Sequence, residues 1–428
     1  MKPTFVTAIA LPFSMLLASH FAYAQDASSD WPQILGPNRN GISLEQMKLG
    51  WDKQPKVLWE KEVGDGLSGP VIAEGNLIVF HRPKGTRGPY LVVEKLKAAD
   101  GSPIWKKELP AKYGGGMDGD SGPKATPVIA DGFIYCHGAG GELACLNFED
   151  GEIVWQLNTR EKFGARDGYF GSGSSPIVID GKLLLNVGGR DSTSIVGLDA
   201  KTGDVLWKAI DDEASYSSPI QMEHKGKSLA IFLTRTRFAG IDPENGKVQF
   251  SNSFGVKGPT AVASMPVAFG SKVFANAAYR VGAKLIDLEN LKADGKQIEP
   301  DWSDQTAFAS HYGTPVLVGD HFYGTTGRED RRNGSFRCIE AATGKVVWDE
   351  PSFPVAHTLL IGEQLLAFDH QGKLSIIAAN PERFELVQTT QASKDPARAI
   401  PAFSAGSLFV RTNANRGVGK LIAIEVAK

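Results

Sequence analysis

The sequence predicts an all-β fold, an eight-bladed β-propeller made of four-stranded antiparallel blades. Two observations carry this prediction: a turn phrase that ends in tryptophan recurs along the chain, and a Pro-Val or Pro-Ile pair precedes most copies. The copies follow one another at a period of roughly 40 to 55 residues, and four strands within such a period are typical of a propeller blade.

The turn phrase is clearest at residues 195–207, which read IVGLDAKTGDVLW. Asp199 is placed to accept hydrogen bonds from turn amides, and Gly203 supplies the positive φ that a short hairpin loop with a bulge requires. The phrase ends in a large flat side chain that packs against a neighbouring element. The tryptophans in this role are Trp59, Trp105, Trp155, Trp207, Trp302 and Trp348, and Phe250 takes the place in one copy.

The ends of the chain predict how the ring closes. Seven units run over about residues 68–388, and an eighth over about residues 400–426 is one strand short. Residues 56–60 form a tryptophan strand with no partner strands before it. Pairing this N-terminal strand into the last blade closes the ring and removes its free edges.

The first residues have the features of a secretory signal. Lys2 is followed by an apolar run from Phe5 to Leu17 and by an Ala-x-Ala sequence that ends at Ala24. A membrane-spanning helix is the weaker interpretation, because the run is short and contains Pro12. The predicted domains are a signal peptide (1–24), a lead-in segment (25–54) and the propeller (55–428). We expect an exported protein, periplasmic or extracellular. We expect no lipid anchor, because no cysteine lies directly after the apolar run.

Composition narrows the classes of partner. The 46 basic and 48 acidic residues nearly balance, giving a net charge of −2, so nothing points to nucleic acid. No second long apolar run predicts a membrane span. We expect a monomer.

The Leu-Asp-x-x-Thr-Gly-x-x-x-Trp phrase resembles the repeat of the pyrroloquinoline-quinone (PQQ) family. Residues 31–33 (WPQ) and 36–41 (GPNRNG) are similar to the lead-in of many secreted PQQ-repeat proteins of unassigned function. The family includes quinoprotein alcohol dehydrogenases and the non-enzymatic, lipid-anchored BamB type. The resemblance implies either a binding or scaffold module without evident catalysis, or a PQQ-dependent alcohol or sugar oxidoreductase with its cofactor at the channel mouth.

Two observations relate to this choice. Asp118 and Asp120, in a Gly-rich loop, are the nearest candidates for calcium, which prefers oxygen ligands, although such a loop is also typical of a solvated turn. The chain has no adjacent cysteine pair, which the family's dehydrogenases often carry. We therefore expect no catalytic residues and no cofactor, with PQQ and calcium as the alternative.

The cysteines allow two interpretations. A two-residue hairpin at 140–141 places Cys136 opposite Cys145, within reach of a disulfide. Alternatively, Cys145 and Cys338 hold the same place in their repeats, where Gly197 stands in another copy, and a free cysteine supplies the small buried side chain that this position needs.

Basic side chains recur where the second strand of each unit ends. They are Arg82, His137, Arg190, Arg235, Arg280, Arg328, His370 and Arg411. A ring of such groups around a channel mouth predicts binding of an anionic small ligand or of an envelope protein. Local neutralisation by neighbours such as Asp191 and Asp330 is the alternative. Aromatic side chains in the same loops (Tyr169, Phe170, Tyr279, Tyr312) either bind polysaccharide or plug the channel.

Overall fold

Eight four-stranded antiparallel sheets form the protein in the computed structural model, which describes residues 29–83, 89–166, 168–258, 260–292, 296–413 and 418–428. The eight-bladed propeller predicted from the sequence is confirmed. The predicted signal peptide and residues 25–28 of the lead-in lie outside the described residues.

Each blade begins with an inner strand, and the inner strands of neighbouring blades contact one another around a central channel. Blade 1 consists of β2–β5, the following blades take four strands each in chain order, and blade 8 consists of β30–β32 with β1. The strands are β1 (Lys56–Val63), β2 (Val71–Ala73), β3 (Asn76–His81), β4 (Tyr90–Lys97), β5 (Pro103–Pro110), β6 (Val128–Ala130), β7 (Phe133–His137), β8 (Glu142–Asn147), β9 (Ile153–Asn158), β10 (Ile177–Ile179), β11 (Lys182–Asn186), β12 (Ile195–Asp199), β13 (Val205–Ala209), β14 (Ile220–His224), β15 (Lys227–Leu233), β16 (Arg237–Ile241), β17 (Val248–Ser253), β18 (Val267–Phe269), β19 (Lys272–Ala277), β20 (Gly282–Asp287), β21 (Pro300–Asp304), β22 (Val316–Val318), β23 (His321–Thr326), β24 (Ser335–Glu340), β25 (Val346–Pro351), β26 (Ala356–Ile361), β27 (Gln364–Asp369), β28 (Lys373–Ala378), β29 (Leu386–Gln391), β30 (Ala402–Ser404), β31 (Ser407–Arg411) and β32 (Gly419–Glu425). Helical structure in the described residues is confined to α1 (Thr159–Phe163) and the 3-10 turns Leu288–Asn290 and Glu329–Arg331.

The ring closes as the sequence predicts. β1 pairs antiparallel with β32, from Lys56 opposite Glu425 to Val63 opposite Gly419. Next to this pair, the amide of Lys428 donates to the carbonyl of Lys48 at 3.1 Å. The C-terminus and the lead-in therefore lie on the same face of the propeller.

The repeated tryptophans join six of the eight blades to the blade that follows. In each case the indole N–H donates to a backbone carbonyl in the outer turn of the following blade. The pairs are Trp59 with Ala98 (2.9 Å), Trp105 with Phe148 (3.3 Å), Trp155 with Ala200 (2.9 Å), Trp207 with Pro243 (2.9 Å), Trp302 with Ala341 (3.0 Å) and Trp348 with Asn380 (2.9 Å). Gly203 has a φ of 75°, and a Cβ there would lie 2.8 Å from the Trp155 ring. Both its conformation and its contact therefore require glycine.

Blade 7 makes this connection differently. Its residue in tryptophan register is Gln388, which lies opposite Ile376. The Gln388 amide donates to the carbonyl of Trp51 at 2.7 Å and accepts from the Trp51 amide at 3.2 Å. The Trp51 side chain is buried in the main core. The lead-in segment is therefore attached to blade 7 at the position where other blades attach to their neighbours.

A second set of hydrogen bonds joins the blades around the channel, at the residues just before the recurring prolines. The amide of one blade donates to a hydroxyl of the next: Gly69 to Thr126 (3.1 Å), Thr126 to Ser175 (2.8 Å), Ser175 to Ser218 (2.9 Å) and Met265 to Thr314 (2.9 Å). These bonds fix the positions of the segments that line the channel.

The predicted disulfide is wrong. All three cysteines are free and buried. Residues 138–141 connect β7 to β8, so that Cys136 lies opposite Ala144 and Cys145 lies opposite Tyr135. The two thiols therefore belong to different faces of the sheet and to different core clusters. Cys145 instead packs in register with Trp155, which confirms the alternative interpretation.

Replacing Trp155 with phenylalanine is expected to lower the free energy of unfolding by about 1–3 kcal/mol, because the interblade hydrogen bond and part of the ring contact are lost. Urea unfolding followed by circular dichroism measures the effect. The matched control is Val154→Ala on the same strand, whose side chain is 47% exposed and which should change the midpoint little. An equal loss of stability in both variants would contradict the role of Trp155 in joining blade 2 to blade 3.

Thiol titration tests the corrected cysteine state. Burial raises the pKa of the Cys145 thiol to about 12 and that of Cys338 to about 11, so the native protein should react slowly with a disulfide reagent. Unfolding without a reductant should release all three thiols. Release of only one would mean that a disulfide had formed.

Candidate functional site

The lead-in segment closes one end of the central channel. Trp31 pairs with Ile72 of β2 through hydrogen bonds of 2.8 and 2.9 Å. Further along, the guanidinium of the buried Arg39 donates to the Pro176 carbonyl of blade 3 at 3.0 Å. Ile42 then bridges to Leu360 of β26. Because the lead-in is bonded to blades on several sides of the channel, it blocks the face where the first and second strands of each blade turn.

A recess of about 350 Å³ remains on the opposite side. We call it the mouth recess, and we call the propeller face onto which it opens the mouth face. Its floor and lower walls are mainly apolar, with the side chains Ile34, Leu67, Met265 and Ile400, and they also carry the hydroxyl residues Thr126, Ser175 and Thr314. Polar and aromatic side chains form its upper part: Asp118, Lys124, Phe170, Tyr216, Tyr279, His311, Tyr312, Glu329, Asp330, His357 and Arg398. Such a combination of apolar surface with a few convergent polar groups is typical of a ligand-binding pocket.

Glu329 anchors one wall of the recess. Arg398 donates to both of its carboxylate oxygens, at 2.6 to 3.0 Å, and the Tyr312 hydroxyl donates to it at 3.0 Å. Burial pushes the pKa of the Glu329 carboxyl up, but the hydrogen bonds and charge of Arg398 outweigh burial and hold it below its usual value. The pair is therefore charged and fixed in geometry at neutral pH.

His311 and Tyr279 form a second wall. The amide of Glu329 donates to His311 Nδ1 at 3.3 Å, and His311 Nε2 lies 3.0 Å from the Tyr279 hydroxyl. Burial lowers the pKa of His311, so its ring is neutral near pH 7. Since Nδ1 accepts a hydrogen bond, Nε2 carries the hydrogen and donates it to the Tyr279 oxygen.

His357 packs beneath Tyr312, with ring centroids 5.2 Å apart. Its Nε2 bonds to the backbone carbonyl of Arg398 at 2.9 Å. A carbonyl only accepts, so Nε2 is the protonated nitrogen. Burial lowers the pKa of His357 to about 4.

The two predicted calcium ligands, Asp118 and Asp120, form ion pairs with a lysine. The Lys124 ammonium lies 3.2 Å from the Asp118 carboxylate and 2.9 Å from the Asp120 carboxylate. Only 6% of the Lys124 side chain is exposed, so its charge balances the two acids without a metal. Among the described residues, no three or more His, Cys, Asp or Glu side chains are grouped to hold a metal ion. The assignment of Asp118 and Asp120 to calcium stays a prediction, and in this structure both carboxylates pair with Lys124.

The predicted basic ring is wrong at half of its positions, because those side chains are buried and bond to backbone carbonyls. Arg82, His137, Arg235 and Arg411 are at most 1% exposed. Arg411 donates to the carbonyls of Ser68 and Phe80 at 3.0 and 2.8 Å, which links blade 8 to blade 1. Hydrogen bonds of this kind lower the cost of burying an arginine. These four groups support the backbone and offer no charge to a ligand.

The other four predicted positions are more accessible. Arg190 and Arg280 are exposed, while Arg328 and His370 are half-buried. Arg328 donates to Asp330 at 2.9 and 2.5 Å, which is the local neutralisation raised as the alternative. The ligand-binding role of these residues stays a prediction.

Sequence reasoning found part of the mouth recess. Phe170, Tyr279 and Tyr312 were predicted as rim aromatics, and they line it. It missed His311, His357 and Arg398, which come from different blades and follow no spacing rule within one repeat.

The fold and the repeat define a PQQ-repeat propeller. The family described as outer membrane protein assembly factor BamB matches residues 90–350, more than half of the chain. The chain belongs to this family.

Individual relatives are more distant. The outer membrane protein assembly factor BamB of Yersinia pestis is 28% identical over 158 residues, which cover 36% of this chain and 36% of that protein. The crystal structure of BamB from Moraxella catarrhalis superposes with a TM-score of 0.60 at 13% identity, covering 86% of this chain and 97% of that one. The quinohemoprotein alcohol dehydrogenase from Comamonas testosteroni has a TM-score of 0.63 at 13% identity, covering 94% and 81%. Both solved structures share the propeller fold of this chain. The described part of this chain contains no helix long and apolar enough to cross a membrane.

Acidification from about pH 6.5 to about pH 4 is expected to lower the free energy of unfolding. Burial holds the pKa of both His137 and His357 at about 4, below the value of about 6.5 in an unfolded chain. In this window the unfolded chain binds protons that the folded protein does not, so the stabilisation present above pH 6.5 is lost as the pH falls.

The variant His357→Gln keeps an N–H donor for the Arg398 carbonyl but cannot titrate. Its urea midpoint should fall less than that of the wild type between about pH 7 and about pH 5. His321→Gln, at a half-buried position in β23 outside the recess, is the matched control. An unchanged pH dependence in His357→Gln would rule out His357 as a source of the effect.

Proposed function

We propose that the protein is an exported binding module that engages an envelope partner through its mouth face. The observation that carries this proposal is the asymmetry of the channel. The lead-in blocks one end, whereas the other end opens into a recess with an apolar floor and polar walls. In the described part of the chain, the mouth face offers a ligand a concave surface connected to the channel.

The fixed geometry of the recess supports a binding role. Glu329 and Arg398 hold each other, and the Tyr216 hydroxyl accepts a hydrogen bond from the Phe170 amide at 3.0 Å. Side chains that are already ordered lose little entropy when a ligand binds, so less of the contact energy is spent on ordering them. Membership of the family described as an outer membrane assembly factor fits a role in binding other envelope proteins.

The charges of the recess favour a ligand that is not strongly anionic. Three carboxylates line it, those of Asp118, Glu329 and Asp330, against two cations, Lys124 and Arg398. Both cations are already bonded to carboxylates. An anionic small ligand, predicted from the basic ring, would have to displace one of these pairs.

The same observation argues against PQQ in this recess. Its carboxylates need free cations, and its calcium needs several oxygen ligands from the protein. The two lining cations are paired with acids, and Lys124 already occupies the space between Asp118 and Asp120. The fold therefore supports the interpretation as a quinoprotein dehydrogenase, but the side chains of the recess do not support it.

Site-specific photocrosslinking in cells of the source organism tests the proposal. A photoreactive amino acid at Arg190 or Arg280, in mouth-face loops, should attach to a common envelope protein. The controls are Lys201 and Glu244, exposed residues in turns of the opposite face. Crosslinks that form equally well or better from the controls would overturn the assignment to the mouth face. Recovery of the protein in the envelope fraction checks export.

Calorimetric titration with PQQ in calcium buffer, followed by a dye-linked alcohol oxidation assay, tests the alternative. We expect neither heat nor turnover. Micromolar binding with turnover that is lost in Arg328→Ala would establish an enzyme instead.

A further inference from the structure

The mouth recess contains a hydrogen-bond donor for which the protein provides no acceptor, the hydroxyl group of Tyr279. His311 Nε2 donates to the Tyr279 oxygen at 3.0 Å, so the tyrosine's own hydrogen points elsewhere. Among the described residues, no other group lies within hydrogen-bonding distance of this hydroxyl. A donor held in a recess in this way is available to a ligand.

The backbone around Tyr279 is strained. Tyr279 and Arg280 both lie in the left-handed region, with φ of 62° and 67°. They join β19 to β20 in a turn whose central positions favour Gly or Asn. Residues other than Gly and Asn seldom adopt this conformation, because their Cβ atom crowds the backbone. The strain fixes the tyrosine at the edge of the recess.

Two neighbouring residues make the Tyr279 hydroxyl a stronger hydrogen-bond donor. The Arg328 guanidinium lies 4.0 Å from the centre of the Tyr279 ring, where a cation draws electron density from the aromatic system. The hydrogen bond from His311 polarises the hydroxyl in the same direction. Burial raises the pKa of Tyr279, so the group keeps its hydrogen at neutral pH.

The rest of the recess suits an apolar group. Met265 and Ile400 are buried on the floor beside Ile34, and the rings of Phe170 and Tyr216 pack 5.6 Å apart on a side wall. A volume of about 350 Å³ accommodates one large side chain.

We infer that the mouth recess binds an uncharged, apolar side chain carried on an extended peptide segment, and that Tyr279 donates its hydroxyl hydrogen to a backbone carbonyl of that segment. This inference rests on the proposed binding function and names the chemistry of the partner. The carbonyl fits because it is a neutral acceptor adjacent to the side chain, and the acidic groups of the recess disfavour a carboxylate in its place.

Calorimetry with capped tripeptides tests the inference on the purified protein. Acetyl-Gly-X-Gly-amide with Leu or Phe at the central position should bind at least about tenfold more tightly than the same peptide with Asp or Lys, because burying a charge is costly. Tyr279→Phe keeps the ring and its contact with Arg328 but removes the donor. It should weaken binding of the Leu peptide about five- to tenfold, the usual effect of one hydrogen bond.

Two further variants control the result. Tyr90→Phe removes a hydroxyl outside the recess and should bind like the wild type. Ala263→Phe places a large ring at a half-buried position lining the recess and should abolish binding of all probes. Wild-type affinity in Tyr279→Phe would overturn the role of the donor, and equal affinity for charged peptides would overturn the apolar assignment.

The inference and the proposed function fail in different ways. If chitotriose binds and the peptides do not, the recess takes carbohydrate and the peptide inference is wrong. If no peptide binds but mouth-face crosslinks persist, this inference is wrong while the proposed function stands. If no peptide binds and no mouth-face crosslinks form, both this inference and the proposed function are wrong.

Discussion

The contact between each tryptophan and the following blade is the constraint on which the rest of the molecule depends. An indole reaches one carbonyl and covers one glycine, so neighbouring sheets are held at a fixed distance and angle. Around the channel, Ser and Thr hydroxyls impose the same spacing from the inside. Because both layers repeat around the ring, the channel has a defined width, and the loops at its mouth are brought to defined positions. The mouth recess is a consequence of this regularity.

The proposed binding function depends on the features that interrupt this regularity. The lead-in segment is not a repeat, yet it supplies Ile34 to the floor of the recess and attaches to blade 7 through Gln388. The loops of blades 5 and 6 depart from the common hairpin and bring Tyr279, His311 and Glu329 together. A uniform propeller would have an open channel with equivalent blades. This one has a blind recess with chemically distinct walls, which is what selective binding needs.

The sequence predicts what the repeat encodes and little else. Blade number, ring closure and the tryptophan positions follow from patterns within a single unit, as does the turn at Asp199, whose carboxylate accepts from the Lys201 and Thr202 amides. The disulfide was wrong because a change in loop length shifts the register by one residue and moves a side chain to the other face. The basic ring was partly wrong because sequence position cannot distinguish an arginine that bonds to inner carbonyls from one that faces solvent. Pairs such as Glu329 and Arg398, 69 residues apart, come together only when the ring closes.

The first described residues of the lead-in and the C-terminus lie on the same face, and this has a consequence for orientation. The Asp30 carboxylate accepts a hydrogen bond from the amide of Glu74, in a turn on the blocked face, and Lys428 lies beside Lys48 on the same face. A molecule held to a surface by this blocked face would therefore direct its recess away from that surface, toward whatever approaches from the opposite side. Attachment at one end and recognition at the other would then be geometrically independent. A tag or an immobilising linker at the C-terminus should accordingly leave the recess accessible.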